Sequence, residues 1–211
     1  MGFKAGIKKK FSSSSFFIRY SSFMIRHTLL LIRQCQHTKL LKIEALFCCL
    51  VLLFLTTPAK AEPTCNDSII ATAPDSNFTI HKDGTVVDNT NGLMWMRCSL
   101  GQIWDGTTCS GTAAIFPWGS GLKTAASHEF AGYNDWRLPN KNELESIVEG
   151  RCFSPAINVE IFPATPSTYF WSSSPYAAIS EGAWSVDFGY GTVIASVKSG
   201  SIHIRLVRNE D

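Results

Sequence analysis

The chain has 211 residues, with 19 Lys+Arg against 17 Asp+Glu and a formal charge of +2. The basic excess lies wholly in the first 61 residues, which hold 10 of the Lys+Arg and one of the acids. Residues 62–211 carry 9 basic and 16 acidic residues, a charge of −7, which excludes a nucleic-acid partner recruited by bulk charge.

From the N-terminus, the first decisive feature is Ala45–Leu55, eleven apolar residues without a charge. A membrane-spanning helix needs about 20 such residues, so this run is too short to cross a bilayer. Lys39 and Lys42 precede it, and Thr56-Thr57-Pro58 followed by Ala59-Lys60-Ala61 close it. That order of charge, apolar run and small residues predicts a secretory signal, with residues 1–61 as a leader. An uncleaved leader is the one expected route to membrane attachment. Residues before Lys39 are Ser-rich and basic (Lys8-Lys9-Lys10, Arg19, Arg26, Arg33), longer than a signal needs, which points to a start site over-extended upstream. The expected destination is export: periplasmic, cell-surface or secreted.

Cleavage removes Cys35, Cys48 and Cys49 and leaves Cys65, Cys98, Cys109 and Cys152. Four cysteines in an oxidising compartment predict two disulfides, with three pairings possible. Cys98–Cys109 is favoured because it closes a short loop, which leaves Cys65–Cys152. No C-x-x-C pair is present, so the spacing argues against zinc.

Residues 62–77 are rich in Pro, Ala and Asp and read as an extended lead-in; residues 78–211 form one domain, long enough to bury a core. Phe78–His81, Thr85–Asp88 and Leu93–Arg97 read as short strands, joined at Asp83-Gly84 and Asn91-Gly92, both two-residue hairpin signals. Residues 98–117 read as a Gly/Thr/Ser loop. Residues 118–130 show weak helical spacing through Leu122, Ala125, Ala126 and Phe130. A clearer helix follows Pro139, capped by Asn140 with Glu143 three residues on, its buried stripe Leu144, Ile147 and Val148, its stop Gly150. Strand patterns return at Thr168–Ser173, Ala183–Phe188 and Thr192–Val197, the last two flanking Gly189-Tyr190-Gly191. Ile202–Val207 alternates as a final strand. Strands, two helices, then strands predict an α+β domain of antiparallel strands, stapled by disulfides.

Four ordered blocks carry a resemblance: Asp83-Gly84-Thr85-Val86-Val87-Asp88-Asn89-Thr90-Asn91-Gly92-Leu93-Met94-Trp95; Asp135-Trp136-Arg137-Leu138-Pro139-Asn140 with Glu143-Leu144; Trp171-Ser172-Ser173-Ser174-Pro175; and Arg205-Leu206-Val207-Arg208. Over about residues 78–209 the chain resembles the C-terminal domain of the Legionella collagen-like adhesin, a domain of unknown function. The resemblance implies a C-type-lectin-like fold related to the sulfatase-modifying-factor group. It also implies a secreted or surface-associated role; the namesake adhesin binds sulfated glycans and trimerises through a collagen-like stalk. This chain has no Gly-X-Y repeat upstream, so that stalk is not implied here.

Asp135, Trp136 and Arg137 form the densest polar-aromatic cluster. Trp136 could stack on a sugar while its neighbours bond hydroxyls; in the opposing reading Asp135–Arg137 is an internal ion pair and Trp136 is core. Trp104 and Trp118, in or beside the loop, are expected to be partly exposed and to join a binding patch. Trp95, Trp171 and Trp184 are expected in the core. Asp83, Asp88, Asn89 and Asn91 supply hard oxygens suited to calcium, yet each also stands where turn chemistry wants it. Tyr133-Asn134-Asp135 only approaches the Trp-Asn-Asp of calcium-dependent lectins. No metal or cofactor is therefore expected. His81, His128 and His203 are isolated, and Ser172–Ser174 lack a G-x-S-x-G frame, so no catalytic set is signalled. The expectation is a non-catalytic, exported, lectin-like module for a glycan or a surface protein. An accessory subunit of an envelope assembly and a hydrolase are the alternatives, and oligomeric state is left open.

Overall fold

The computed structural model describes residues 62–210. The expected leader over 1–61, its apolar run 45–55, its three cysteines and the over-extended start all lie outside the described residues. Among the described residues no helix is long and apolar enough to cross a membrane.

The described part begins with β1 (Thr64–Cys65), a 3-10 turn over Asp75–Asn77, and the strands β2 (Phe78–Ile80), β3 (Thr85–Asp88) and β4 (Leu93–Met96). Short strands β5 (Ile103–Trp104), β6 (Cys109–Ser110) and β7 (Ile115–Phe116) follow, then helices α1 (Trp118–Ala126) and α2 (Lys141–Ser146). Next are β8 (Cys152–Phe153), β9 (Tyr169–Pro175), β10 (Gly182–Asp187), β11 (Thr192–Val197), β12 (Ile202–His203) and β13 (Val207–Asn209). A five-stranded sheet runs β11-β10-β9-β12-β7 and a four-stranded sheet β13-β4-β3-β2; all their pairings are antiparallel except β12 with β9. The domain is therefore α+β, as its pattern predicts.

The central strands β3 and β4 of the four-stranded sheet are covered on both faces, which explains the strand Leu93-Met94-Trp95-Met96, apolar at every position. Side chains alternate across a pleat, so Val86, Trp95 and Val207 point into one core with Leu144, Ile147 and Phe170. Val87, Met94 and Met96 point into a second core with Trp136, Trp171 and Leu206. Trp95 and Trp171 are fully buried as expected, but Trp184 is only half-buried, edge-on to Tyr176 at 4.9 Å.

Local chemistry sets the turns. The β2–β3 and β3–β4 connections each use four residues (81–84 and 89–92) rather than two. Gly84 adopts φ +89°, and a Cβ there would sit 2.7 Å from the Trp104 ring, so glycine is required twice over. The α2 cap forms as predicted: the Asn140 side chain accepts from the Asn142 and Glu143 N–H groups, and Glu143 Oε2 accepts from Asn140 N at 2.7 Å. By contrast α1 ends at Ala126, four residues short of the predicted end, because Phe130 enters a tight turn with Tyr133. The expected loop 98–117 contains a β5–β6 hairpin closed by Cys98–Cys109.

The second disulfide, Cys65–Cys152, joins register partners of β1 and β8. The lead-in is thus structured, and buried Glu149 anchors it further by accepting from the Thr72 and Ala73 N–H groups at 3.1 Å each.

The largest departure from the sequence pattern is at the C-terminus. Ile202–Val207 is not one strand: β12 belongs to the five-stranded sheet and β13 to the four-stranded one. The residues between, Ile204 to Leu206, are fully buried, including Arg205. The Arg205 guanidinium donates to the Met96 and Arg97 carbonyls, to Ser99 Oγ at 3.3 Å and to Thr165 Oγ1 at 2.6 Å. It lies 4.8 Å from the Phe162 ring centroid. Burial, reinforced by the nearby Arg97 charge, pushes its pKa down to about 9, so it is still a cation at neutral pH.

Arg205→Ala removes four acceptors' donor and leaves a cavity, and is expected to cost about 3–5 kcal/mol in urea unfolding. Arg205→Met refills the volume and escapes the desolvation of a charge, so it is expected to cost less. Replacing Cys65 and Cys152 together by Ser is expected to cost roughly 2–5 kcal/mol, read as a lower unfolding midpoint with the β4 packing intact.

Candidate functional site

The segment after α1 is built around a two-residue hairpin. Phe130 and Tyr133 exchange backbone hydrogen bonds, each 3.0 Å, and the intervening Ala131 and Gly132 have φ of +53° and +84°. Positive φ at both central positions is the type I′ geometry, which reverses the chain within two residues. Ala131 holds a left-handed conformation at a cost of about 1–2 kcal/mol, so neighbouring contacts must impose it.

Those contacts come from Trp136. It is 1% exposed, its Nε1 donates to the Phe130 carbonyl at 3.1 Å, and Phe130 and Tyr133 pack against it at 6.2 and 6.4 Å. Trp136 is therefore core and holds the turn; it has no free face for a sugar. Around the turn lies an open cavity of about 370 Å³, lined by Glu129, Phe130, Ala131, Gly132, Tyr133 and Asn134.

The ion pairing differs from the sequence expectation. Asp135 does not pair with Arg137. Arg208 Nε donates to Asp135 Oδ1 at 2.7 Å, with Arg208 side chain 3% exposed and Asp135 52%. The Arg208 guanidinium carbon also sits 4.1 Å from the Tyr133 ring centroid. Arg137 instead makes a two-pronged pair with Glu143, at 2.8 and 2.9 Å, and bonds Asn209 Oδ1 at 3.1 Å. Adjacent residues of an extended segment point to opposite sides, so Asp135 and Arg137 share a side and could have met. The β13 strand prevents this by supplying Arg208 to one and docking its backbone on the other, through Arg137 N to Val207 O at 2.9 Å and the reverse bond at 3.0 Å.

The other candidate tryptophans do not join this cavity's lining. Half-buried Trp104 donates from Nε1 to the Lys82 carbonyl at 3.0 Å and carries Arg97 over its ring at 4.4 Å. Half-buried Trp118 donates to the Ser172 carbonyl at 2.8 Å beneath Lys198, 4.6 Å from the ring centroid. The calcium candidates are all used in turns. Asp83 accepts from Thr85 N and Oγ1, Asp88 from Thr90 and Asn91, Asn91 from Leu93 N, and Asn89 from Thr79 Oγ1. No group of three or more His, Cys, Asp or Glu able to hold a metal occurs among the described residues.

The helical spacing of residues 118–130 runs through Phe130 and so conceals the turn and its cavity. The available signal was Phe130-Ala131-Gly132-Tyr133, a small residue and a glycine between two aromatics. Arg208 stands in the sequence only within the block Arg205–Arg208; its partner 73 residues away is not readable from the chain.

The hydrogen bond from Arg208 holds the Asp135 carboxyl below the usual carboxylate range. Burial opposes ionisation of Glu143, but the Arg137 bond, the Asn140 N–H and the Arg137 charge together hold it below its ordinary value. Both groups bind protons less readily folded than unfolded. Their contribution is thus complete above the unfolded values, 3.8 and 4.5, and is lost as pH falls through the lower folded ones. Urea midpoints measured from pH 7 to pH 2 are expected to fall below about pH 4.5 in the parent. In Asp135→Asn/Glu143→Gln they are expected to start lower and fall less, so the two curves converge in acid.

No curated protein matches the chain. A family model described as the Lcl C-terminal domain matches residues 84–208, which covers most of the described part, including the turn, both ion pairs and the first two residues of β13.

Proposed function

The chain belongs to the Lcl C-terminal domain family, and on that premise we propose that it is an exported, lectin-like binding module. Its ligand is a glycan, taken at the cavity formed by the Phe130–Tyr133 turn. The observation that carries this reading is the cavity itself: about 370 Å³, open, and lined by two aromatic residues beside an amide and a carboxylate. That volume falls within the range of about 300–1,000 Å³ usual for small-molecule sites, and aromatic faces with a few polar groups suit a sugar ring. Trp136 and β13 hold the turn from behind, so the lining is preorganised.

A non-catalytic role agrees with the same geometry. The carboxylate beside the turn, Asp135, is bonded to Arg208 and held ionised, which suits it to hydrogen bonding rather than to general-acid work. All four cysteines of the described part are in disulfides, so none supplies a thiol nucleophile.

A second reading, recognition of a protein partner within an envelope assembly, draws on β11. This edge strand of the five-stranded sheet, Thr192–Val197, contains no charge and no proline, and exposes Ile194 and Val197. Edges of that kind accept an added strand from another chain.

A glycan array probed with the purified protein separates the two. Retention of a defined sugar class, reduced about fivefold by Asn134→Ala, which alters an exposed lining residue and so leaves the unfolding midpoint unchanged, is the expected result. Retention of no sugar, together with strand-dependent capture that a charge at Ile194 abolishes, would transfer the function to β11.

A further inference from the structure

Charge at the cavity narrows the ligand class. All five arginines of the described part are engaged internally. Arg97 donates to the Ile161 and Glu160 carbonyls, Arg137 pairs with Glu143, and Arg151 lies near Asp67 and Glu149. Arg205 is buried and Arg208 pairs with Asp135. None of the six cavity-lining residues is a cation, and one of them, Glu129, is an exposed carboxylate. The neighbouring His128 adds no positive charge at neutral pH, since burial holds its pKa below the ordinary value. Its ring stacks on Phe130 at 6.4 Å.

The aromatic side of the cavity points the same way. Arg208 already holds one face of the Tyr133 ring, at 4.1 Å, with its charge met by Asp135, so a ligand cation has the remaining aromatic surface of Phe130 and Tyr133 to pack against. A carboxylate and aromatic rings together form a receptor for an organic cation, whereas a sulfate would meet the Glu129 carboxylate and no cation among the six lining residues. Resting on the glycan reading above, we propose that the cavity selects a sugar bearing a protonated amine, with Glu129 pairing the ammonium and Phe130 or Tyr133 packing against the ring. Glu129 is the specificity-determining residue of this arrangement. The acidic balance of residues 62–211 favours the same ligand at longer range.

The test is calorimetric titration of the intact purified protein with three oligosaccharides matched in length. One is built of glucosamine with free amines, one of N-acetylglucosamine, and one carries sulfate groups. The amine-bearing oligomer is expected to bind most tightly and to weaken as salt is added. Glu129→Gln is expected to weaken it about fivefold, the size of one exposed ion pair, and Glu129→Lys to abolish the preference. Glu129 is exposed, so both variants are expected to keep the parental unfolding midpoint, which is measured alongside. Equal binding of the acetylated oligomer, or preference for the sulfated one, overturns the amine class while leaving the glycan reading standing. Binding of none of the three overturns both.

Discussion

The buried guanidinium of Arg205 is the constraint on which the rest of the domain depends. A charged group with no carboxylate partner is expensive to bury, and here its cost is met by four oxygen acceptors and two aromatic rings. Those acceptors come from the end of β4, from the loop after it and from the segment before β9. One side chain therefore ties the two large sheets together where the chain passes from one to the other. The geometry also explains why Ile202–Val207 breaks into two strands: an inward arginine between them leaves no room for a continuous ladder.

What Arg205 fixes, β13 passes on. Three residues later Arg208 reaches Asp135, while Val207 exchanges backbone bonds with Arg137. Arg137 in turn grips Glu143, which closes the cap of α2. The Asp135–Asn140 block is thus a junction between the C-terminal strand, the helix and the aromatic turn. Its structural work accounts for Trp136 being buried, and it holds the turn of residues 130–133 in place.

Internal use of arginine also shapes the surface. With the guanidinium groups paired to carbonyls, carboxylates and rings, the fully exposed cations among the described residues are Lys82 and Lys123, while many carboxylates remain at the surface. An acidic surface with an aromatic cavity is a different receptor from a basic one, even on the same scaffold, because long-range attraction and the local counter-charge both change sign.

The sequence by itself determined the α+β class, the β2–β4 meander, the capping box at Asn140 and Glu143, and the β10–β11 hairpin. These depend on residues close in the chain, whose turn, cap and alternation chemistry acts locally. The pairing of four cysteines was legible by loop length, and both disulfides formed accordingly. Tertiary structure alone decided three further matters: that Asp135 belongs to Arg208 and Arg137 to Glu143, that Arg205 lies inside rather than on a polar strand face, and that Phe130–Tyr133 form a turn around a cavity. Each depends on groups brought together from distant positions, where a charged or aromatic side chain takes whichever partner the packed core presents, and no local pattern records that choice.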